Sequence, residues 1–336
     1  MPVCLCLLAA WMLFTPAFGQ DVSISGLAFG DAYWVAAHDG ADLEGQNGFW
    51  FRRVYLTFDF AISEVWSARL RTEMNSPGDF TSNARLEPFA KDLYLRWKSA
   101  DHQVYAGLSS TPTWNVVEDV WGYRSVEKTL VDLQRLGSSR DIGLAARGNL
   151  DAARRVRYHV MFANGGGTGA ETNKGKKAML SLALYPNDTA VFELYGDVDD
   201  RPGETNRYTL QAFAGFHFET GRAGIQYVYQ HRDVEAGPDV DLNGLSLFGV
   251  LQLADRLHGY VRYDRLFDPN PDAGRIAYLP FQASARSNLV LLGLDVVAHE
   301  QVHFLPNVEV VFYDAPDDRP APDPTVMPRL TFFFTF

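Results

Sequence analysis

The sequence predicts an all-β fold: a transmembrane antiparallel up-and-down β-barrel of about 16 strands whose long third outer loop folds into the lumen. Three observations carry that prediction. Apolar and polar residues alternate with a period of two from Asp21 to Phe336. The connections between alternating segments are short and long by turns. The last segment, Arg329-Leu330-Thr331-Phe332-Phe333-Phe334-Thr335-Phe336, is itself alternating and aromatic, as the closing strand of a sealed barrel needs to be.

The strands follow from the alternation. From Phe49 to Ile62, Val54, Leu56, Phe58, Phe60 and Ile62 fall on one face and Arg53, Tyr55, Thr57 and Asp59 on the other. Val65 to Asn75 gathers Arg69, Arg71 and Glu73 on one side. Leu93, Leu95 and Trp97 oppose Asp92, Tyr94 and Arg96, and Val156, Tyr158, Val160 and Phe162 oppose Arg155, Arg157 and His159. Tyr208, Leu210, Ala212, Ala214, Phe216 and Phe218 oppose Arg207, Thr209, Gln211, His217 and Glu219. Trp34, Trp50, Trp66, Trp97 and Tyr185 are expected to face outward near strand ends, where amphipathic rings suit the lipid headgroup level.

Short connections are expected at 62–64, 99–102, 149–153, 185–188, 219–222, 253–256 and 298–301. Long ones are expected near 38–47, 76–89, 110–138, 164–176, 199–206, 233–240, 267–284 and 314–324. Tight turns at one end and long loops at the other are the layout of a bacterial outer-membrane barrel, and a soluble β-sandwich has no reason to keep it.

Composition agrees with this reading. An apolar run from Met1 to Phe14, then Thr15-Pro16-Ala17-Phe18-Gly19, reads as a secretory signal over residues 1–19, with a single barrel domain over 20–336. Both cysteines lie inside that leader, so no disulfide staples the exported chain. No second apolar run is long enough for a membrane helix, whereas barrel strands give a weak hydropathy signal and are not excluded. A net charge of -11 argues against general nucleic-acid binding.

Several segments resemble the phosphate-selective porin O and P family: Phe51 to Phe60, Lys91 to Trp97 leading into Val104 to Leu108, and Arg155 to Gly165 with its Phe162-Ala163-Asn164-Gly165. The resemblance spans nearly the whole mature chain on short, degenerate strand patterns. It implies a sixteen-stranded homotrimer in the outer-membrane lipid, with an inward-folded third loop and a basic inner wall. The terminal Phe336 resembles the signature by which the barrel assembly machinery recognises such chains. The chain is short for the family and lacks its dense run of lysines, so the resemblance implies a channel more strongly than phosphate capture.

A barrel of this strand number is too wide for side chains to fill, so function rests on what narrows and charges the lumen. The polar faces place Arg53, Arg69, Arg71, Arg96, Arg147, Arg155 and Arg157 on the expected lumen side, interleaved with Asp59, Glu73, Asp92 and Asp141. Two readings stay open: the arginines favour anions, or they pair with the acids and merely solvate the wall. The acids at 199–200, 233, 235, 239, 268, 272, 314, 317, 318 and 323 are expected at the outer rim. The third loop carries Glu118, Asp119, Tyr123, Arg124, Lys128 and Arg135, beside Trp114, Trp121, Glu127 and Asp132. It is too long and aromatic for an idle tip and is expected to form a narrow polar constriction whose charges largely cancel. An outer lid or a trimer contact is the alternative.

Two motifs are set aside. His299-Glu300-Gln301-Val302-His303 fits the zinc-protease pattern. On a strand, however, its histidines stand about 13 Å apart. The glycines at 165–169 with Gly175-Lys176 lack the spacing of a phosphate loop. No cofactor and no metal is expected. The function expected is passive diffusion of ions and small hydrophilic solutes through an outer-membrane pore, with a bias toward inorganic anions or phosphate. The alternatives are a barrel enzyme of lipase or protease type, for which no strand supplies an obvious Ser-His or Asp-His pair, and a plugged structural or adhesin barrel.

Overall fold

The computed structural model describes residues 21–203, 205–316 and 320–336. The leader expected over 1–19 and the rim acids Asp317 and Asp318 lie outside them.

The strands are β1 (Val22–Trp34), β2 (Asn47–Ala61), β3 (Trp66–Met74), β4 (Phe89–Lys98), β5 (His102–Ser110), β6 (Arg140–Asn149), β7 (Val156–Ala163) and β8 (Lys177–Asn187). They continue as β9 (Ala190–Asp199), β10 (Thr205–Phe218), β11 (Gly221–Val234), β12 (Val240–Ala254), β13 (Leu257–Leu266), β14 (Ser287–His299), β15 (Val302–Tyr313) and β16 (Thr325–Thr335). Each pairs antiparallel with its sequence neighbour, and β16 returns to β1 to close a barrel of sixteen strands. The seam extends to the last residue: Gly26 N–H donates to the Phe336 carbonyl at 2.7 Å and Phe336 N–H to Gly26 at 3.0 Å. A closed ladder leaves no strand edge unpaired, which is the condition for a sheet in hydrocarbon.

The pleat separates two surfaces. On β8, Lys177, Met179, Ser181 and Ala183 are buried while Ala178, Leu180, Leu182 and Leu184 are exposed. On β9 and β10 the exposed positions include Leu194 at 67% and Leu210 at 62%. Single exposed leucines are ordinary, but an apolar girdle repeated on successive strands is the outer face of a transmembrane barrel. No helix among the described residues is long and apolar enough to cross a membrane.

One irregularity changes which side chains point inward. The β1–β2 register shifts between Phe29 and Gly30, so Arg52 is an extra residue opposite the β1 ladder. A bulge of this kind turns two consecutive side chains to one face. Arg52 and Arg53 are both buried and inward, and the positions before the bulge change sides. Trp50, expected outward, is therefore inside: its Nε1 donates to Asp31 at 2.8 Å and its ring stacks on Tyr33 at 3.8 Å. Tyr185 is also corrected. It continues the inward set of β8 and lies under the Arg157 guanidinium at 4.1 Å. Trp34 and Trp66 are exposed, and Trp97 is the ladder partner of Trp66 on that same outer face.

Candidate functional site

The connection between β5 and β6 holds two short helices, α1 (Asn115–Trp121) and α2 (Leu130–Leu133). Helix α1 places Val117, Val120 and Trp121 on one side and stops at Gly122, whose left-handed φ of 71° lets the chain reverse. That apolar side packs on inward residues of the wall, forming a core of Val117, Val120, Trp121 and Tyr123 with Phe213, Phe248, Tyr260 and Leu291. A second cluster joins Leu130, Val131 and Leu136 to Val228 and Leu242.

So irregular a segment leaves many carbonyls without backbone partners, and burying them unpaired is costly. Side chains of the wall and of the connection before β14 supply the donors. Arg222 donates to the carbonyls of Val120 (2.6 Å) and Trp121 (3.1 Å), Gln211 to Thr113 (3.1 Å), Gln230 to Leu136 (2.7 Å) and Asn270 to Gln134 (2.9 Å). Arg262 donates to the Lys128 carbonyl and Arg52 to that of Val126. Beneath them lies a buried ionic cluster: Arg52 contacts Glu127 at 2.8 Å and Asp31 at 3.7 Å, and Arg329 contacts Glu127 at 3.6 Å and Glu309 at 3.1 Å. Burial by itself would raise the Glu127 carboxyl, but the two guanidiniums outweigh it and hold it below the usual glutamate range.

The opposite side of the loop is open. A cavity of about 710 Å³ runs between α1 and strands β16 and β1 to β4, bordered by Arg71, Lys91, Arg124, Arg140 and Glu118. Toward the long-loop end lies a second cavity of about 420 Å³, bordered by Arg53, Lys128, Arg135, Lys177, Arg201 and Arg207 with Asp132, Asp141, Asp199 and Asp272. Lys91, Arg124 and Ser139 line both, so the cavities meet there. At that junction carboxylates are each held by two bases: Glu73 by Arg53 (2.8 Å) and Lys91 (2.9 Å), Asp92 by Arg71 (3.3 Å) and Arg140. On the loop, Arg124 pairs with Asp132 at 3.1 Å and Glu118 at 3.5 Å. Lys128 forms no ion pair among the described residues. Burial, with Arg53 and Arg124 nearby and Asp132 opposing, pulls its ammonium down to about 8.

The expected lumen arginines fall into three groups. Arg53, Arg69 and Arg71 pair with the interleaved acids, Arg69 with Asp59 at 2.7 Å. Arg96, Arg147 and Arg157 face inward with no carboxylate partner among the described residues: Arg96 donates to Ser67 at 2.9 Å, and Arg147 and Arg157 lie over Tyr105 and Tyr185. Arg155 is exposed just before β7, which begins at Val156. In the loop, Tyr123 donates to Asp295 at 3.2 Å and Arg135 to the Arg275 carbonyl at 3.4 Å. Asp119 has no ion-pair partner among the described residues. Burial raises its carboxyl and Arg147 opposes the rise.

Other expectations change. Asp199 and Asp272 do not stand on the rim; Asp199 faces the upper cavity against Arg201 (2.9 Å) and Lys177 (3.9 Å), and Asp272 against Arg232 (2.8 Å). Asp-His pairs do occur, His303 with Asp295 at 2.8 Å and His231 with Asp241 at 2.9 Å, each formed across a hairpin that no local motif reveals. In the zinc-protease pattern the histidines diverge: His299 Nδ1 accepts the Gln301 N–H while His303 turns to Asp295. Sequence reading passed over Arg52, Lys91, Arg140, Arg222, Arg262 and Arg329. For Lys91 and Arg140 the signal was present, since each stands beside an acid at the start of an alternating strand.

No protein-family model matches the sequence, and no curated protein matches it. Among solved structures the chain is similar to the anion-selective porin from Comamonas acidovorans, at 11% identity and a TM-score of 0.72 over 94% of this chain and 100% of that one. It is similar to the outer membrane channel DcaP of Acinetobacter baumannii, at 11% identity and a TM-score of 0.64 over 95% and 98%. It is similar also to the trimer form of OmpT, an outer membrane protein of Vibrio cholerae, at 12% identity and a TM-score of 0.62 over 94% and 99%. None of them names the phosphate-selective family that the strand segments resemble. At such identities the likeness is one of fold, and the fold of this chain is the closed sixteen-stranded antiparallel barrel of the porins.

Proposed function

We propose that the chain is an outer-membrane porin through which small hydrophilic solutes and ions diffuse passively, with a bias toward anions. The observation that carries this reading is the junction of the two cavities. There Arg53, Arg71, Lys91 and Arg140 on the wall face Arg124 and Lys128 on the loop, and the carboxylates among them are Glu73, Asp92, Glu118 and Asp132. Six bases against four acids leave a net positive strip where the two cavities meet. Fixed positive charge in a low-dielectric neck lowers the cost of passing an anion and raises that of a cation. The likeness to an anion-selective porin supports the same direction, and the likeness to a trimeric barrel supports a homotrimer. Phosphate as the preferred anion rests on the strand resemblance alone.

The test is reversal potential in planar bilayers under a salt gradient. Anion preference is expected for the native chain and a move toward cations in Arg53→Gln and Arg71→Gln; a cation-selective native channel rules the reading out. A barrel enzyme is the competing class. It would draw on His303 and Asp295 or on His231 and Asp241, yet among the described residues neither histidine hydrogen-bonds a serine or threonine hydroxyl that would act as nucleophile.

A further inference from the structure

At the short-turn end of the lumen a separate alcove of about 450 Å³ opens between α1 and the inner face of β5 to β9. Its wall side presents two guanidiniums. Arg147 on β6 is the ladder partner of His159, and Arg157 on β7 is the partner of Asn149, so the two arginines are diagonal neighbours on one face. Such positions stand about 7–8 Å apart. Neither meets a carboxylate within ion-pair distance among the described residues. Arg147 lies 4.9 Å over the Tyr105 ring with only the Gln103 side-chain oxygen at 3.3 Å, and Arg157 lies 4.1 Å over Tyr185. The rings hold each guanidinium against the wall, where both arginines line the alcove.

Across the alcove stands Asp119, on the side of α1 turned away from the apolar core, with no base in contact. Where the two larger cavities meet, most opposite charges are joined: Arg53 with Glu73, Arg71 with Asp92, Arg124 with Asp132. Here Arg147, Arg157 and Asp119 face each other across open space, while the alcove's other charged side chains are engaged, Arg154 with Asp101 at 3.1 Å and Glu193 with the Ser181 and Gln211 side chains at 2.5 and 3.1 Å. An anion alone would satisfy the guanidiniums but would meet the Asp119 carboxylate. A solute with an acidic group at one end and an ammonium at the other satisfies both.

Building on the porin reading, we propose that this alcove is a binding subsite for small zwitterionic solutes, with a carboxylate held by Arg147 and Arg157 and an ammonium held by Asp119. The channel then retains amino-acid-like solutes at its short-turn mouth, beyond the anion-biased neck.

The experiment compares L-aspartate with succinate, which share a carbon skeleton and differ by the ammonium. Full-length protein is reconstituted in planar bilayers and the chloride current is titrated with each solute at neutral pH, block being expressed relative to each variant's own current. Net charge alone favours the doubly anionic succinate, so the proposal expects the opposite: half-block by L-aspartate at a concentration about five-fold lower, the scale of one exposed ion pair. Asp119→Asn is expected to erase that difference. The double variant Arg147→Gln with Arg157→Gln is expected to weaken block by both solutes. Succinate blocking as well as L-aspartate in the native channel, or discrimination that survives in Asp119→Asn, overturns the subsite while leaving the porin reading intact. Absence of any chloride current from the native protein overturns both.

Discussion

The two halves of the barrel wall use the same alternation to opposite ends. From β9 to β14 the inward positions include Val191, Phe213, Val228, Leu242, Phe248 and Leu291, and the third loop lies on them as a packed core, with Arg222 and Arg262 from the same strands donating to its carbonyls. From β2 to β6 the inward positions include Arg53, Arg69, Arg71, Glu73, Lys91, Asp92 and Arg140, of which Arg53, Arg71, Lys91 and Arg140 border the open cavities. The apolar half immobilises the loop; the charged half keeps the remaining lumen wet. What a pore passes is then set by the strip between them, and a loop of indifferent net charge gains its effect from the wall it faces.

Removing the packing should have the largest effect. Trp121 is fully buried, and its Nε1 donates to the Glu127 carbonyl at 2.9 Å. Trp121→Ala is expected to cost about 3–5 kcal/mol of loop docking and to give larger, noisier single-channel steps; unchanged steps would break the comparison. The ionic anchor comes next. Glu127→Ala leaves Arg52 and Arg329 buried with less compensation, at a cost of about 3 kcal/mol or more, read as faster proteolysis within residues 110–139. Because the Glu127 carboxyl is held below its unfolded range, its contribution is complete above that range and is lost as pH falls through the folded value, so acid should loosen the same segment.

Charge on the open half should matter less to stability and more to selectivity. Arg71→Gln leaves Asp92 with Arg140, so the change removes one positive charge without stranding an acid. The anion-to-cation permeability ratio is expected to fall about twofold at low salt and less at high salt. Lys128 sharpens this further. With its ammonium at about 8, it is charged below that pH and neutral above it, so anion preference should decline as pH rises through 8, and Lys128→Arg should flatten the profile. Arg69→Gln is the smallest expected change, under about 1 kcal/mol, since its pair with Asp59 is partly exposed.

Much of the barrel was legible because its signals are local. Period-two alternation locates β3 through β16 within a few residues, and the short connections at 62–64, 99–102 and 219–222 coincide with the turns. Legibility failed where one residue alters the phase. The bulge at Arg52 reverses the faces before it, so Trp50 moved inside and Arg52 was passed over. It failed again for Tyr185, which keeps the inward phase of β8 although its aromatic character suggested the membrane interface. Asp199 and Asp272 lie in loop-flanking sequence and read as rim residues; their pairing with Arg201 and Arg232 depends on how the upper cavity folds over.

By itself the sequence determined the strands, their order and which face of most of them meets lipid, because alternation and turn chemistry act between residues close in the chain and a closed antiparallel ladder then has one arrangement. Only the tertiary structure decided which lumen charges remain unpaired. That depends on residues far apart in sequence, as when Glu127 settles between Arg52 and Arg329 while Arg147 and Arg157 meet tyrosine rings and, among the described residues, no carboxylate. Charge neutralisation in a pore is decided across the barrel and cannot be read along a strand.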